Sequence, residues 1–197
     1  MDEAALIKKA QKGDVVAFNR LVLQYQEAVY NVAYRIMGEP QSAEDATQET
    51  FISAHKALKS FRGGSFKSWL MRIATNACYD ELRRRKRRPQ TSLDKLTEEN
   101  ESFAFLRSPD EGPEMAQQRL EMMRAIEDCL RTLPDEQRIT AVLGDVEGYN
   151  YQEIAGITGV SLGTVKSRMS RARAKLRDCL QGVKELLPAS YRLSTST

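Results

Sequence analysis

The residues with the clearest capacity for chemistry lie between Ser161 and Arg177, in the stretch SLGTVKSRMSRARAKLR. This stretch contains no acid, and its six cations are Lys166, Arg168, Arg171, Arg173, Lys175 and Arg177. A helix that is merely solvated intersperses glutamate among its cations, because ion pairs four residues apart stabilise it. The composition therefore favours binding to a polyanion, with cations against phosphates. A solvated helix in a bundle is the alternative.

The sequence before this stretch predicts the element that would present it. Asn150, with Glu153 three residues later, is typical of the capped start of a short helix. Gly159 can adopt the left-handed conformation that a tight turn requires, and Ser161 is a predicted N-cap for the basic helix. Ala155 is small enough for the two helices to cross closely. These signals predict a helix-turn-helix, whose second helix enters the major groove of DNA.

The basic helix has two predicted faces. Its apolar face, with spacings of 4, 3 and 4 residues, consists of Val165, Met169, Ala172 and Leu176. The opposite face, with the same spacings, consists of Lys166, Ser170, Arg173 and Arg177. This pattern predicts a helix that packs its apolar side on the preceding helix and turns its cations outward.

Charge lies in blocks, although the 197-residue chain has a net charge of only +3. Arg83 to Arg88 form a run of six cations, whereas residues 89–115 contain seven acids against two cations. Two basic blocks separated by an acidic strip indicate a nucleic-acid partner more strongly than the net charge does.

Helical periodicity dominates the chain and predicts an all-α fold, with two small helical domains joined by a flexible linker. The first domain is predicted for residues 1–88, and the acidic linker for 89–113. A second domain is predicted for 114–181, and a short tail for 182–197.

Three helices are predicted in the first domain. The first runs from Asp14 to Gly38, and the second begins at Ser42, with Asp45 as the acid of a capping box. The third follows the turn FRGGS, has Trp69 on its core side and runs into the arginine tract. One stripe of the third helix consists of Asn76, Asp80, Arg83 and Arg87. Asparagine can read an adenine edge and arginine can grip phosphates, whereas an ordinary exposed polar residue is the alternative for the asparagine.

No enzyme chemistry, metal site or cofactor is predicted. The sequence lacks G-x-x-x-x-G-K-[ST] and H-E-x-x-H motifs, and His55 is its single histidine. Cys78, Cys129 and Cys179 lack metal-ligand spacing and are expected to be small buried apolar groups rather than redox sensors. No stretch approaches 18 apolar residues, and the N-terminus does not resemble a signal peptide, so a cytoplasmic protein without membrane insertion is predicted.

Three segments together resemble the bacterial sigma factors of the extracytoplasmic-function (ECF) group. They are AEDATQETFISAHKALKSFRG, FKSWLMRIATNACYDELRRRKR and LPDEQRITAVLGDVEGYNYQEIAGITGVSLGTVKSRMSRARAKL, in the order and spacing of the family. The resemblance spans about residues 10–180. It implies a region 2 that recognises and opens the promoter −10 element, and a region 4 that binds the −35 element.

The resemblance also implies roles for individual residues. Those at the −35 element are Thr164, Lys166, Ser167, Arg168, Ser170, Arg171 and Arg173; Ser170 stands where some relatives carry an aromatic. Those at the −10 element are Phe61, Arg62, Lys67, Asn76, Asp80, Arg83, Arg84 and Arg87. Those at core RNA polymerase are Asp45, Gln48 and Glu49, against the β′ coiled coil. The β flap and an anti-sigma factor are further implied partners.

Capture of an extruded −10 base by the FRGGSFK loop would couple recognition to melting. Two other functions fit parts of the sequence. A free-standing helix-turn-helix regulator would use residues 1–88 for sensing or dimerisation, and an RNA-associated structural protein would use the arginine tract. Binding to core polymerase distinguishes a sigma factor from the first, and promoter-dependent transcription distinguishes it from the second.

Overall fold

The computed structural model describes residues 2–87 and 112–182, and within these ranges it is helical, with no β-strand. The predicted linker at 89–113 lies almost entirely outside the described residues, as does the predicted tail at 182–197. The helices are α1 (Glu3–Gln11), α2 (Val15–Met37), α3 (Pro40–Ala57), α4 (Phe66–Arg87), α5 (Pro113–Arg131), α6 (Asp135–Ala141), α7 (Tyr151–Thr158) and α8 (Leu162–Gly182). None of these helices is long and apolar enough to cross a lipid bilayer.

Helices α1–α4 form an N-terminal bundle around the apolar stripe of α2. The Asp14 side chain accepts a hydrogen bond from the Ala17 N–H, 3.0 Å away, so α2 has the predicted N-cap. Buried residues at helical spacing, Val29, Val32 and Ile36, are fully enclosed by the other helices. Helix α1 was not predicted. It has only nine residues, and its stability depends on burying Leu6 against the bundle.

The predicted start of α3 is wrong by two residues. Helix α3 begins at Pro40, whose fixed φ suits the first position of a helix, after the extended residue Glu39. Ser42 is buried inside the first turn, so Asp45 is not part of a capping box. Asp45 is instead an exposed acid that accepts a hydrogen bond from Gln41.

Helices α5–α8 form a C-terminal bundle in which α8 packs against the other three. A π-helical segment, Val142–Val146, extends α6 and brings Gly144 against the core. A Cβ at Gly144 would lie 2.3 Å from the methyl carbon of Met169, so the backbone of this segment touches α8 directly.

Two of the three cysteines differ from the prediction. Cys129 of α5 and Cys179 of α8 form a disulfide, with Cα atoms 5.7 Å apart and a sequence separation of 50. Cys78 alone is the buried free thiol that was predicted for all three. Burial raises the pKa of the Cys78 thiol to about 12. The disulfide could not be predicted from the sequence, because only the packing of α5 on α8 brings the two cysteines together.

The two bundles pack against each other, chiefly α4 against α7 and α2 against α5. Their buried apolar residues form one continuous cluster. Arg131 of α5 lies over the backbone of Gly38 at the end of α2, where a Cβ would be 2.8 Å from the Arg131 Nε. The chain thus places its two groups of helices in direct contact.

Candidate nucleic-acid interface

The predicted helix-turn-helix is formed by α7, Gly159–Ser161 and α8. Asn150 Oδ1 accepts hydrogen bonds from the Gln152 and Glu153 N–H groups, at 2.9 and 3.0 Å, and Glu153 Oε2 accepts one from the Asn150 N–H at 2.8 Å. Gly159 ends α7 with φ +71°, a conformation that a residue with a side chain adopts only at a cost. The Ser161 hydroxyl then accepts the Thr164 N–H at 3.1 Å, which caps α8.

Helix α8 has the two predicted faces over most of its length. Val165, Met169 and Ala172 are buried, and Leu176 is half-buried. The exposed residues of the predicted −35 set are Lys166, Ser167, Ser170, Arg171 and Arg173. Thr164 is half-buried, and its carbonyl accepts a hydrogen bond from the Ser167 hydroxyl at 3.0 Å. Lys166 and Arg171 form no ion pair with another described residue, so their charges remain available to an anion.

Arg173 was predicted on the outward face of α8 with Lys166, Ser170 and Arg177, but its guanidinium is hydrogen-bonded within the C-terminal bundle. Its Nη2 lies 2.6 Å from Asp145 Oδ1, its Nε donates to both oxygens of that carboxylate, and its Nη1 donates to the Tyr151 hydroxyl at 3.3 Å. The hydrogen bond with Asp145 raises the pKa of Arg173. Sequence reasoning missed Asp145 and Tyr151, which lie in the π-helical segment and at the start of α7.

Arg168 lies on the side of α8 that faces helix α4 of the N-terminal bundle. It is half-buried and lines a cleft together with Tyr79 of α4, in the other bundle. Burial raises the pKa of Tyr79, and the neighbouring Arg168 opposes that shift. A cleft of about 370 Å³ surrounds this contact and is lined by Asn76, Tyr79, Asp80, Arg83, Glu136, Thr158, Val160 and Arg168.

The predicted −10 loop combines an open tip with a fixed base. Gly63 and Gly64 have φ of +105° and +88°, with open space where a side chain would stand, and Arg62 is exposed. The Phe61 ring is half-buried, with its centroid 5.3 Å from that of Trp69, which is itself partly buried and packs against the core. Gln11 of α1 donates a hydrogen bond to the Phe61 carbonyl at 2.8 Å, a support that sequence reasoning missed.

The predicted −10 stripe of α4 is exposed but not uniformly cationic. Asn76 and Asp80 are exposed, and Asp80 pairs with Arg83 at 3.7 Å. Arg84 pairs with Glu81 at 2.8 Å. Arg87 is exposed at the end of the helix. At the start of α4, Lys67 lies 3.9 Å from Glu147 and 5.6 Å from the ring centre of Tyr149, both in the C-terminal bundle.

The predicted polymerase patch lies on α3, where Asp45 shares a groove with Arg84 of α4. Asp45, Gln48 and Glu49 are exposed, and the exposed Ile52 continues their helical row. Glu49 accepts a hydrogen bond from Ser53 at 2.9 Å. The patch therefore offers two carboxylates and an amide around one apolar side chain, a composition that suits a basic helix with apolar contacts. Among residues 2–87 and 112–182, no cluster of histidine, cysteine and acids could hold a metal ion.

Comparison with known proteins assigns families to both bundles. Residues 21–88 match Sigma-70 region 2, and residues 123–176 match Sigma-70 region 4. The RNA polymerase sigma-H factor of Pseudomonas aeruginosa is 38% identical over 89% of this chain and 92% of its own length. The ECF RNA polymerase sigma-E factor of Haemophilus influenzae is 36% identical over 92% of this chain and 96% of its own length.

A longer relative and two solved structures agree with this assignment. The ECF sigma factor SigE of Mycolicibacterium smegmatis is 38% identical over 83% of this chain, which spans 62% of that relative's length. CnrH, solved with the cytosolic domain of CnrY, has a TM-score of 0.65 and 27% identity over 92% of this chain and 99% of CnrH. The sigma factor RpoE of Bartonella quintana, solved with the anti-sigma factor NepR, has a TM-score of 0.63 and 29% identity. The match covers 83% of this chain and 96% of RpoE. The chain therefore belongs to the ECF group of RNA polymerase sigma factors, which act in promoter-specific initiation of transcription.

Proposed function

We propose that the two bundles read the two elements of a promoter, region 4 in the C-terminal bundle at −35 and region 2 in the N-terminal bundle at −10. The observation that carries this proposal is the outer face of α8. Its Lys166 and Arg171 are exposed and unpaired within the described chain, on the second helix of a fully capped helix-turn-helix. Such a helix fits the major groove, with its first turns toward the base edges.

At −35, Lys166, Ser167, Ser170 and Arg171 make the base and phosphate contacts in this proposal. Each side chain is exposed on the first three turns of α8. Thr164, Arg168 and Arg173 have a different role, because each is partly buried or already paired in the free chain. We assign to them the positioning of α8.

At −10, the tip of the FRGGS loop and the stripe of α4 receive the non-template strand. The two glycines leave room for a nucleotide to approach the backbone, with Arg62 beside them. Asn76 offers an amide for a base edge, and Arg83, Arg84 and Arg87 offer charges for phosphates. Phe61 supports the loop through Trp69 and presents one edge of its ring to a base.

Core RNA polymerase binds the exposed patch of α3 in this proposal. Asp45, Gln48 and Glu49 face the β′ coiled coil, and the C-terminal bundle takes the contact with the β flap. An anti-sigma factor competes with core polymerase for binding to this chain, by analogy with the solved complexes of the related CnrH and RpoE. The nucleotidyl transfer belongs to the polymerase, and the chain works in the cytoplasm, where the polymerase and the promoter are.

Transcription from a library of genomic promoters, with core polymerase and the purified chain, tests the proposal. The expected result is initiation at a restricted set of sites with a fixed spacer between two conserved elements. Arg171→Ala should reduce initiation at these sites about 5- to 100-fold, the loss of one good base or phosphate contact. Lys175→Ala is the matched control, because Lys175 is an exposed cation of the same helix outside the proposed contact set. Failure of the chain to bind core polymerase would refute the proposal.

A further inference from the structure

We infer that the corner between α1 and the FRGGS loop is a further phosphate-binding site for the single-stranded promoter. It is formed by a lysine cluster, Lys8, Lys12 and Lys59, beside Arg62. The inference rests on the proposed function, in which Arg62 and its loop receive the −10 strand. The cluster adds residues of α1, a helix that the sequence did not predict, and of the segment before the loop.

Gln11 ties the C-terminal end of α1 to the base of the loop. Its Nε2 donates one hydrogen bond to the Leu58 carbonyl at 3.1 Å and another to the Phe61 carbonyl at 2.8 Å. Both hydrogens of the amide are therefore used. These carbonyls flank the short 3-10 helix that ends at Ser60. Since α1 also buries Leu6 in the bundle, its position relative to the loop is fixed.

The lysine cluster takes its members from both segments that Gln11 joins. Successive residues of an α-helix are about 100° apart around its axis, so Lys8 lies about 60° from Gln11 and Lys9 about 160° from it. Lys12 follows Gln11 directly, as the C-cap of α1. Lys59 lies in the 3-10 helix, between the two residues whose carbonyls Gln11 binds. Three ammonium groups are thus brought close to the loop that carries Arg62.

Neither segment contains an acid that could neutralise these cations. Residues 4–13 and residues 55–65 have no aspartate or glutamate, and their cations are Lys8, Lys9, Lys12, Lys56, Lys59 and Arg62. All six are exposed, and none forms an ion pair with another described residue. Asp14, two residues after Lys12, is occupied as the cap of α2. A surface that is merely solvated intersperses acids among its cations, whereas this one attracts a polyanion.

A single strand of DNA fits this corner because of what lies beside the lysines. Gly63 and Gly64 leave open space at the tip of the loop, and the half-buried Phe61 presents an aromatic edge. Proteins that bind single strands combine a cationic track with aromatic side chains. A lysine contacts phosphate as a point charge and reads no base. The cluster therefore holds the backbone next to the captured base and adds affinity without sequence preference.

Two double variants with equal loss of charge test the cluster in the full-length chain. Lys8→Gln/Lys59→Gln removes one cation from each of the segments that Gln11 joins. Lys9→Gln/Lys175→Gln is the control, since it removes two exposed lysines, one on the far side of α1 and one on α8. Thermal unfolding by circular dichroism checks the fold, and titration with core polymerase checks that each variant binds it as the wild type does.

The probe is a fluorescein-labelled single strand of about 20 nucleotides, the non-template −10 strand of a promoter found in the library experiment. Fluorescence polarisation measures its affinity for the holoenzyme over a range of salt concentrations. Each phosphate contact on a single strand contributes about 0.7 to the slope of log affinity against log salt. We expect the slope of Lys8→Gln/Lys59→Gln to be shallower by about 1.4, and its affinity near 0.15 M salt to be about tenfold lower. The control should match the wild type in both.

Equal affinities and slopes in the two double variants would overturn the inference. A lower affinity with an unchanged slope would also overturn it, because the lysines would then act on the fold and not on phosphates. If Lys8→Gln/Lys59→Gln lost affinity for core polymerase, the cluster would be a protein contact instead. Absence of initiation by the wild-type holoenzyme would refute the proposed function, and the same comparison with the free chain and an oligo(dT) strand would then decide the cluster.

Discussion

Reduction of the Cys129–Cys179 disulfide is expected to destabilise the C-terminal bundle that carries α8. The bridge closes a loop of 50 residues between α5 and α8. Loop-closure entropy lost from the unfolded chain makes such a bridge worth about 4 kcal/mol. For a cooperative unit of roughly 150 residues, that free energy corresponds to a fall in Tm of about 8–16 °C.

The assay is thermal unfolding by circular dichroism, with and without a phosphine reductant. The double variant Cys129→Ala/Cys179→Ala should show the low Tm under both conditions, because it has no bridge to reduce. Cys78→Ala should keep the full response to the reductant, since Cys78 is a free thiol. A wild-type Tm that does not change on reduction would refute the estimate.

A count of reactive thiols tests the bridge itself. The native chain should show none, because Cys78 is fully buried and its pKa is raised to about 12, which leaves almost no thiolate. Unfolding in urea without reductant should expose one thiol, and unfolding after reduction should expose three. Three thiols in the unreduced, unfolded chain would show that the bridge is absent.

Three further substitutions test the electrostatics and capping of the site. Asp145→Asn should release Arg173 for phosphate contact, so that log affinity for promoter duplex falls more steeply with log salt, by about 0.9. Ser161→Ala should lower the free energy of unfolding by about 1 kcal/mol in urea titrations, whereas Ser170→Ala should change it by less than about 0.5 kcal/mol. Burial raises the pKa of Glu127 in the native state above its ordinary value of 4.5. The native state therefore gains stability from the protonated carboxyl at pH below 4.5, and this gain is lost as the pH rises through the raised pKa. Glu127→Gln should therefore be more stable than wild type at pH 7, with the difference shrinking toward pH 4.

Local signals predicted the parts of the fold that depend on neighbouring residues. The caps at Asp14, Asn150 and Ser161 and the turn at Gly159 depend on groups within four residues, and the structure confirms each. Helix α1 was missed because its stability comes from packing against α2 rather than from its own nine residues. The helix-turn-helix could therefore be predicted in detail, whereas the contacts that other elements make with it could not.

The residues that sequence reasoning placed imperfectly are those with partners distant in the chain. On α8, Arg173 belongs to the predicted outward face, yet it has a carboxylate beside it from Asp145, 28 residues earlier in the chain. Lys67 has Glu147 as its partner, and Arg168 lies beside Tyr79. A count of cations thus overestimates the charge that the free chain offers to DNA, because part of it holds the helices and the two bundles together. Lys166 and Arg171 are among the exposed cations of α8 that have no ion pair with another described residue, and they lie where the proposed function requires them.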